Sequence, residues 1–208
     1  MTNNSKPCIS LAITGASGSL YGLRLLECLI KAGQQVYLMV SQPAQVVIAT
    51  ETDLQLKSRP AELQQQLSER YGAENGQLQV FGKEQWMAPV ASGSNAPRAM
   101  VVCPCSTGTL SSIACGASNN LIERAADVML KEQKKLILLV REMPLSAIHL
   151  ENMLKLARLG CVVMPASPGF YQKPKEINDL IDFVVARILD QLQIEQQLMP
   201  RWGNEFDG

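Results

Sequence analysis

Leu136-Ile-Leu-Leu-Val140 is an unbroken apolar run with Lys134 and Lys135 on one side and Arg141 and Glu142 on the other. A strand with one wet face alternates apolar and polar side chains. A run without alternation therefore belongs to a strand covered on both faces, as parallel strands between two helical layers are. The rest of the chain supplies the partners such a strand needs. Cys8–Ile13, Gln35–Val40, 99–103 and 161–164 have strand character, and Leu78–Phe81 reads as a shorter strand. Segments with helical spacing separate them, at 20–31, 43–50, Pro60–Tyr71, an Ala-rich stretch after Thr109, 120–132, 146–159 and 175–192. Asn120-Leu-Ile-Glu123 has the spacing of a capping box. Strands alternating with helices in this way specify an α/β fold, a Rossmann-like doubly wound parallel sheet.

No shift in composition marks a linker within the 208 residues, so residues 1–208 read as a single domain with a C-terminal helix and tail. Hydrophobic residues make up 47% and charged ones 18%, enough for a sizeable core and too little charge for disorder. Lys plus Arg equals Asp plus Glu at 19 each, which leaves no overall field to attract nucleic acid or an anionic membrane. Any anion site must be local. No run approaches the ~20 apolar residues of a membrane span, and Met1-Thr-Asn-Asn-Ser-Lys-Pro7 lacks the apolar core of a secretory signal, so a cytoplasmic location is expected. The six cysteines include no CxxC pair, and with His149 as the sole histidine Cys103-Pro-Cys105 lacks the further ligands of a zinc site. No metal is expected.

In doubly wound sheets ligands bind beyond the carboxyl ends of the strands, so the polar residues that follow each strand are the candidates. They are Gly15, Ala16, Ser17 and Ser19 after the first strand and Ser41 after the second. Ser106, Thr107 and Thr109 follow the strand at 99–103, Arg141 and Glu142 follow 136–140, and Ser167 and Tyr171 follow the last. Small hydroxyls and backbone amides dominate. The glycines of Thr14-Gly-Ala-Ser-Gly-Ser-Leu-Tyr-Gly22 allow close backbone approach, and the helix that follows offers unpaired N–H groups, so this turn is expected to take the phosphate end of a cofactor. Its spacing departs from GxGxxG, and Ser41 stands where a dinucleotide binder offers an acid to the ribose, which favours a mononucleotide.

Two other chemistries fit less well. Tyr171-Gln-Lys-Pro-Lys175 matches the Tyr-x-x-x-Lys string of short-chain dehydrogenases, but Pro174 prevents the pair from sharing one helical face. GxSxG is absent, because Gly15-Ala-Ser-Gly18 brings its second glycine one residue early. His149 reads as a packed or capping residue.

The turn with Ser17, Pro104-Cys-Ser-Thr-Gly-Thr-Leu110, Leu121-Ile-Glu-Arg-Ala-Ala-Asp-Val128, Leu139-Val-Arg-Glu-Met-Pro-Leu145 and Pro168-Gly-Phe-Tyr171 together resemble the flavin prenyltransferases of the UbiX type. The resemblance extends to Asp182-Phe-Val-Val-Ala-Arg187 and Pro200-Arg-Trp202. It implies transfer of a dimethylallyl group from dimethylallyl phosphate to N5 and C6 of reduced flavin mononucleotide (FMN). The prenylated FMN would serve a separate decarboxylase of the ubiquinone-biosynthesis type. Gly15, Ala16, Ser17, Ser41, Ser106, Thr107, Gly108, Thr109 and Arg141 are then implied to hold FMN. Tyr171 and Arg187 would bind the donor phosphate, with Arg124, Lys131 and Glu142 near the reacting groups. It also implies a homo-oligomer, often a dodecamer.

These residue types suit the task. A cluster of Lys, Arg and Tyr meets the charge of a departing phosphate without a metal. Arg124 and Lys131, seven apart, share one helical face, and Arg187 falls on the flank of the stripe formed by Leu180, Val184 and Ile188, where a half-buried guanidinium is expected. Ser17, Glu142 and Lys131 are the catalytic candidates, with Glu142 shuttling a proton and Ser17 positioning N5. For Glu142 a plain salt bridge to Arg141 is the alternative. Trp86 could offer an aromatic face to the allyl group or pack at a subunit contact. An FMN-dependent decarboxylase and a non-catalytic flavin-binding or delivery protein are the competing functions.

Overall fold

The computed structural model describes residues 8–200, so Arg201 and Trp202 of the terminal motif lie outside the described residues. Six parallel strands form one sheet in the order β3-β2-β1-β4-β5-β6: β1 (Cys8–Ile13), β2 (Gln35–Val40), β3 (Leu78–Phe81), β4 (Ala99–Cys105), β5 (Lys135–Val140) and β6 (Val162–Pro165). Among the described residues seven α-helices lie between the strands or, for the last, after them: α1 (Ser19–Lys31), α2 (Gln42–Glu51), α3 (Pro60–Tyr71), α4 (Thr107–Ala114), α5 (Leu121–Lys131), α6 (Ala147–Arg158) and α7 (Ile177–Gln191).

Alternate residues of each strand feed two separate cores. Ile9, Leu11, Ile13 and Val101 face α1, α3 and α7, whereas Ala12, Met100, Val102 and Leu138 face α4 and α5. That two-sided burial is why β5 shows no polar alternation: Leu136 to Leu139 are each no more than 1% exposed.

Three local features differ from the sequence expectation. β4 does not stop at Cys103 but continues through Pro104 to Cys105, because a register shift between Val102 and Cys105 absorbs the residue that has no N–H to donate. Asn120 caps α5 by accepting from the Glu123 amide, yet the Glu123 carboxylate accepts from the Asn119 amide at 2.8 Å, one residue outside the expected reciprocal bond. The segment 86–97 contains two short 3₁₀ turns, Pro89–Ala91 and Gly93–Asn95. His149 closes a capping box at the start of α6: Ser146 Oγ accepts from its amide, and its Nδ1 accepts from the Ser146 amide.

Candidate active site

The strand order reverses between β1 and β4, so the crevice of the fold opens at their carboxyl ends. Thr14 ties the two ends together. Its hydroxyl donates to the Pro104 carbonyl at 2.7 Å, its amide donates to the same oxygen, and the Ser106 amide donates to Thr14 Oγ1 at 2.9 Å. The Ser41 amide donates to the Ile13 carbonyl and the Arg141 amide to that of Cys105, which draws the ends of β2 and β5 to the same crevice. Gly15, Ala16, Ser17, Ser41, Ser106, Thr107, Gly108, Thr109, Arg141 and Glu142 therefore converge at one edge of the sheet. Gly15 is required by its neighbour, since a Cβ there would stand 2.5 Å from Pro43 Cβ.

The turn after β1 does not present a free anion site. The Glu51 carboxylate, at the end of α2, accepts from the Gly18 amide at 2.9 Å, the Ser19 amide at 2.8 Å and the Ser19 hydroxyl at 2.7 Å. It thereby occupies the N–H groups that a phosphate at the start of α1 would need, which corrects the sequence expectation. Burial works to raise the Glu51 pKa. Hydrogen bonds from the hydroxyls of Ser17 and Ser19 and the amides of Gly18 and Ser19 outweigh it, and the carboxyl titrates below its ordinary range. A group depressed in the folded state stabilises the fold above its unfolded pKa, and that contribution is lost as pH falls through the folded value. Glu51→Gln is expected to cost about 1 kcal/mol at neutral pH and to flatten the acid limb of a stability-against-pH curve measured by chemical denaturation. An unchanged acid limb would remove Glu51 as its source.

The start of α4 is different. Ser106 is its N-cap and accepts from the Thr109 amide, while the Thr107 and Gly108 amides have no acceptor within the helix. Space is open at Gly108, where an added Cβ would meet nothing within 4 Å. Ser41 similarly caps α2 by accepting from the Ala44 amide, and with Thr109, Lys83 and Asn120 it lines a cavity of about 200 Å³. Glu142 does not salt-bridge Arg141 among the described residues. Its Oε2 accepts from Thr107 Oγ1 at 3.3 Å and its Oε1 from the Met143 amide at 3.1 Å, so it spans the ends of β5 and α4. Arg141 is exposed, and its charge reaches the half-buried Tyr21. Burial and the nearby Cys103 raise the pKa of that tyrosine against the pull of Arg141.

The expected donor-site residues lie elsewhere in the chain. Tyr171 and Arg187 do come together, lining one cleft of about 990 Å³ whose walls, among the described residues, come from 171–200. Arg187 is exposed rather than half-buried, because its guanidinium turns along the surface of α7 to pair with Asp190 at 2.7 Å. It sits one turn before the end of α7, where the Gln191 and Leu192 carbonyls accept from Lys135 and Arg98 at the beginnings of β5 and β4. That is the amino edge of the sheet, about 20 Å from the crevice for strands of this length. Lys131 also lies there, four residues before β5 and bonded to Glu132. Arg124 is committed to the Ala91 carbonyl and to Asp127. Trp86 is exposed on the loop after β3. A single chain thus assembles the flavin side of the expected site but not the cations assigned to the donor.

Sequence reasoning missed Glu51 and Tyr21. Nothing in the local pattern of α2 marks its last residue as the cap of another helix, and Tyr21 reads as one more position of α1. Among the described residues there is no group of His, Cys, Asp or Glu shaped to hold a metal, and no helix long and apolar enough to cross a membrane. Cys103 and Cys105 are buried, which pushes the Cys105 thiol up to about 12 and disfavours the thiolate.

A family model described as Flavoprotein matches residues 1–189. The chain is 60% identical over 197 residues to the flavin prenyltransferase UbiX of Pseudomonas aeruginosa, covering 95% of this chain and 94% of that one. Among solved structures, AnUbiX (PadA1) in complex with FMN and dimethylallyl pyrophosphate superposes with a TM-score of 0.84 at 39% identity, covering 96% of this chain and 98% of that one. A dodecameric FMN-dependent UbiX-like decarboxylase from Escherichia coli O157:H7 gives 0.83 at 36% identity, covering 95% and 100%.

Proposed function

Because this chain belongs to the flavoprotein family and, within it, to the UbiX-type flavin prenyltransferases, we propose that it joins the dimethylallyl group of dimethylallyl phosphate to N5 and C6 of reduced FMN. The observation that carries this reading is the crevice at the ends of β1 and β4, where the open start of α4, Ser17 and Arg141 stand at one edge of the sheet.

The residues fit a flavin mononucleotide. With Glu51 filling the start of α1, the FMN phosphate falls to the Thr107 and Gly108 amides and the hydroxyls of Ser106 and Thr109, a helix terminus with partial positive charge. Gly15 and Ala16 line the approach with backbone, Ser41 adds a hydroxyl, and Arg141 supplies a cation at the end of β5. When bound, reduced FMN supplies the nucleophilic nitrogen and carbon. Ser17 donates to Glu51, which leaves its oxygen free to accept, and it would position N5 by accepting from the N–H of the reduced flavin. Glu142, held between Thr107 and the Met143 amide, carries a proton between the reacting edge and the departing phosphate.

Tyr171 and Arg187 bind the donor phosphate, and Arg124 and Lys131 meet its charge as it leaves. Since Arg187 and Lys131 lie at the amino edge, they reach a flavin only when another copy presents that edge to the crevice. We assign the protein a homo-oligomer, a dodecamer like the Escherichia coli relative. The exposed apolar side chains of Ile148, Leu150, Leu154 and Leu159 on and just beyond α6 provide contact surface for it. Trp86, 46% exposed in one chain, gains either an allyl group or a subunit contact there. The product goes to a separate decarboxylase of the ubiquinone-pathway type. The cytoplasm suits a reaction that consumes reduced flavin, and the six free cysteines suit its reducing conditions.

Incubation with reduced FMN and dimethylallyl phosphate, followed by mass analysis of the flavin, tests the assignment. A gain of one C5H8 unit is the expected result. An unchanged flavin, with carbon dioxide released when a carboxylic acid substrate is supplied in a parallel incubation, favours the decarboxylase, and an unchanged flavin without turnover in either favours a binding protein.

A further inference from the structure

Tyr171 lies on the loop between β6 and α7, a segment without regular structure to fix its ring. Its edge meets the ring of Phe183 on α7, with centroids 5.5 Å apart and planes at 74°. Phe183 precedes Arg187 by four residues, so both project from one face of α7 into the same cleft. The third side of this arrangement is Gly169. A Cβ added there would stand 2.8 Å from Tyr171 Cε1, 2.8 Å from Phe183 Cζ and 2.9 Å from Phe183 Cε2. The backbone of Gly169 is not left-handed, in contrast to Gly18 with φ +94°. An alanine there would carry no left-handed backbone penalty. What this glycine contributes is the missing side chain, which lets two rings close over its Cα.

We propose that Gly169 is a positioning residue for recognition of the prenyl phosphate: by carrying no Cβ, it lets Tyr171 seat edge-on against Phe183 in the cleft that Arg187 also lines. This rests on the reading of the cleft as the donor seat. Any side chain at 169 pushes the Tyr171 ring or the Phe183 ring aside. The phenol then shifts relative to the guanidinium, and one of the two groups that grip a single phosphate leaves its place. A shift of about 1 Å is enough to lose a hydrogen bond to an anion. The flavin crevice, built from other segments, is untouched.

The test compares Gly169→Ala, Tyr171→Phe and the double variant in the intact oligomer, measuring kcat/KM for dimethylallyl phosphate and, separately, the affinity for FMN. Each single variant is expected to lower kcat/KM about tenfold, the loss of one charge-assisted hydrogen bond, with FMN affinity unchanged. The double variant is expected to match Tyr171→Phe, since a displaced ring without its hydroxyl has nothing further to lose. Phe183→Leu, which removes the surface the ring rests on, is expected to act in the same direction. If Gly169→Ala retains the native kcat/KM while Tyr171→Phe loses it, or if the two losses multiply, Gly169 does not act through Tyr171 and the inference falls with the donor seat intact. Loss of FMN affinity in Gly169→Ala also overturns it, as a general lesion. If Tyr171→Phe and Arg187→Ala both keep the native value, the donor seat itself is misplaced.

Discussion

Glu142→Gln is expected to lower prenyl transfer at least a hundredfold, on the scale of general acid–base catalysis, while FMN binds within about twofold of the native affinity. The substitution keeps the shape of the side chain. Its amide oxygen still accepts from the Met143 amide, and its NH₂ can donate to Thr107 Oγ1, which is a hydroxyl and can accept as well as donate. The join between the end of β5 and the start of α4 therefore persists. What is lost is the capacity to take up and release a proton. Because Glu142 has no ion pair with Arg141 among the described residues, neutralising it does not free the guanidinium from a partner, and the flavin side is spared. Product mass and a flavin fluorescence titration measure the two quantities, and native turnover in the variant would remove Glu142 from the proton path.

Gly22→Ala is expected to destabilise the protein by about 2–3 kcal/mol, a fall in Tm of about 5–10 °C for a chain of this size. Gly22 is buried on α1, and a Cβ there would overlap the Cys103 carbonyl oxygen of β4 and crowd Ile13. The gain of about 1 kcal/mol from replacing a helical glycine by alanine is outweighed, since the obstructing atom is backbone in a central strand and cannot rotate away. The helix must lift instead. Because the turn that carries Gly15 and Ser17 leads directly into α1, this also moves the turn relative to Ser106–Thr109, and FMN affinity falls with stability. Thermal unfolding with and without FMN separates the effects. A change in Tm below about 2 °C would show that α1 can move off β4 at no cost.

Most of the fold was legible because its cause is local. The uninterrupted apolarity of 136–140, the helical spacing of 20–31 and the capping residue Asn120 each depend on neighbours a few residues away. Of the two roles open to His149, packing or capping, the structure shows the cap. The misplaced end of β4 has an equally specific reason: a proline marks a strand end in most settings, but a register shift here lets the ladder resume at Cys105.

The candidate site was legible only as far as topology carries it. Which residues follow a parallel strand determines which of them stand at the carboxyl edge, and that placed Gly15 to Ser17, Ser41, Ser106 to Thr109, Arg141 and Glu142 together. The sequence by itself thus determined the layered sheet, the edge at which the chemistry sits and the hydroxyl-rich character of that edge. Only the tertiary structure decided which helix start is open to a phosphate. Glu51 reaches back 33 residues to the Gly18 amide and closes α1, leaving α4 free. It also decided that Arg187 and Lys131 lie at the far edge, because both stand at the ends of helices that run back along the strands. Periodicity reports the face a residue occupies, whereas the occupant of a helix end and the edge a cation reaches depend on contacts between segments distant in the chain.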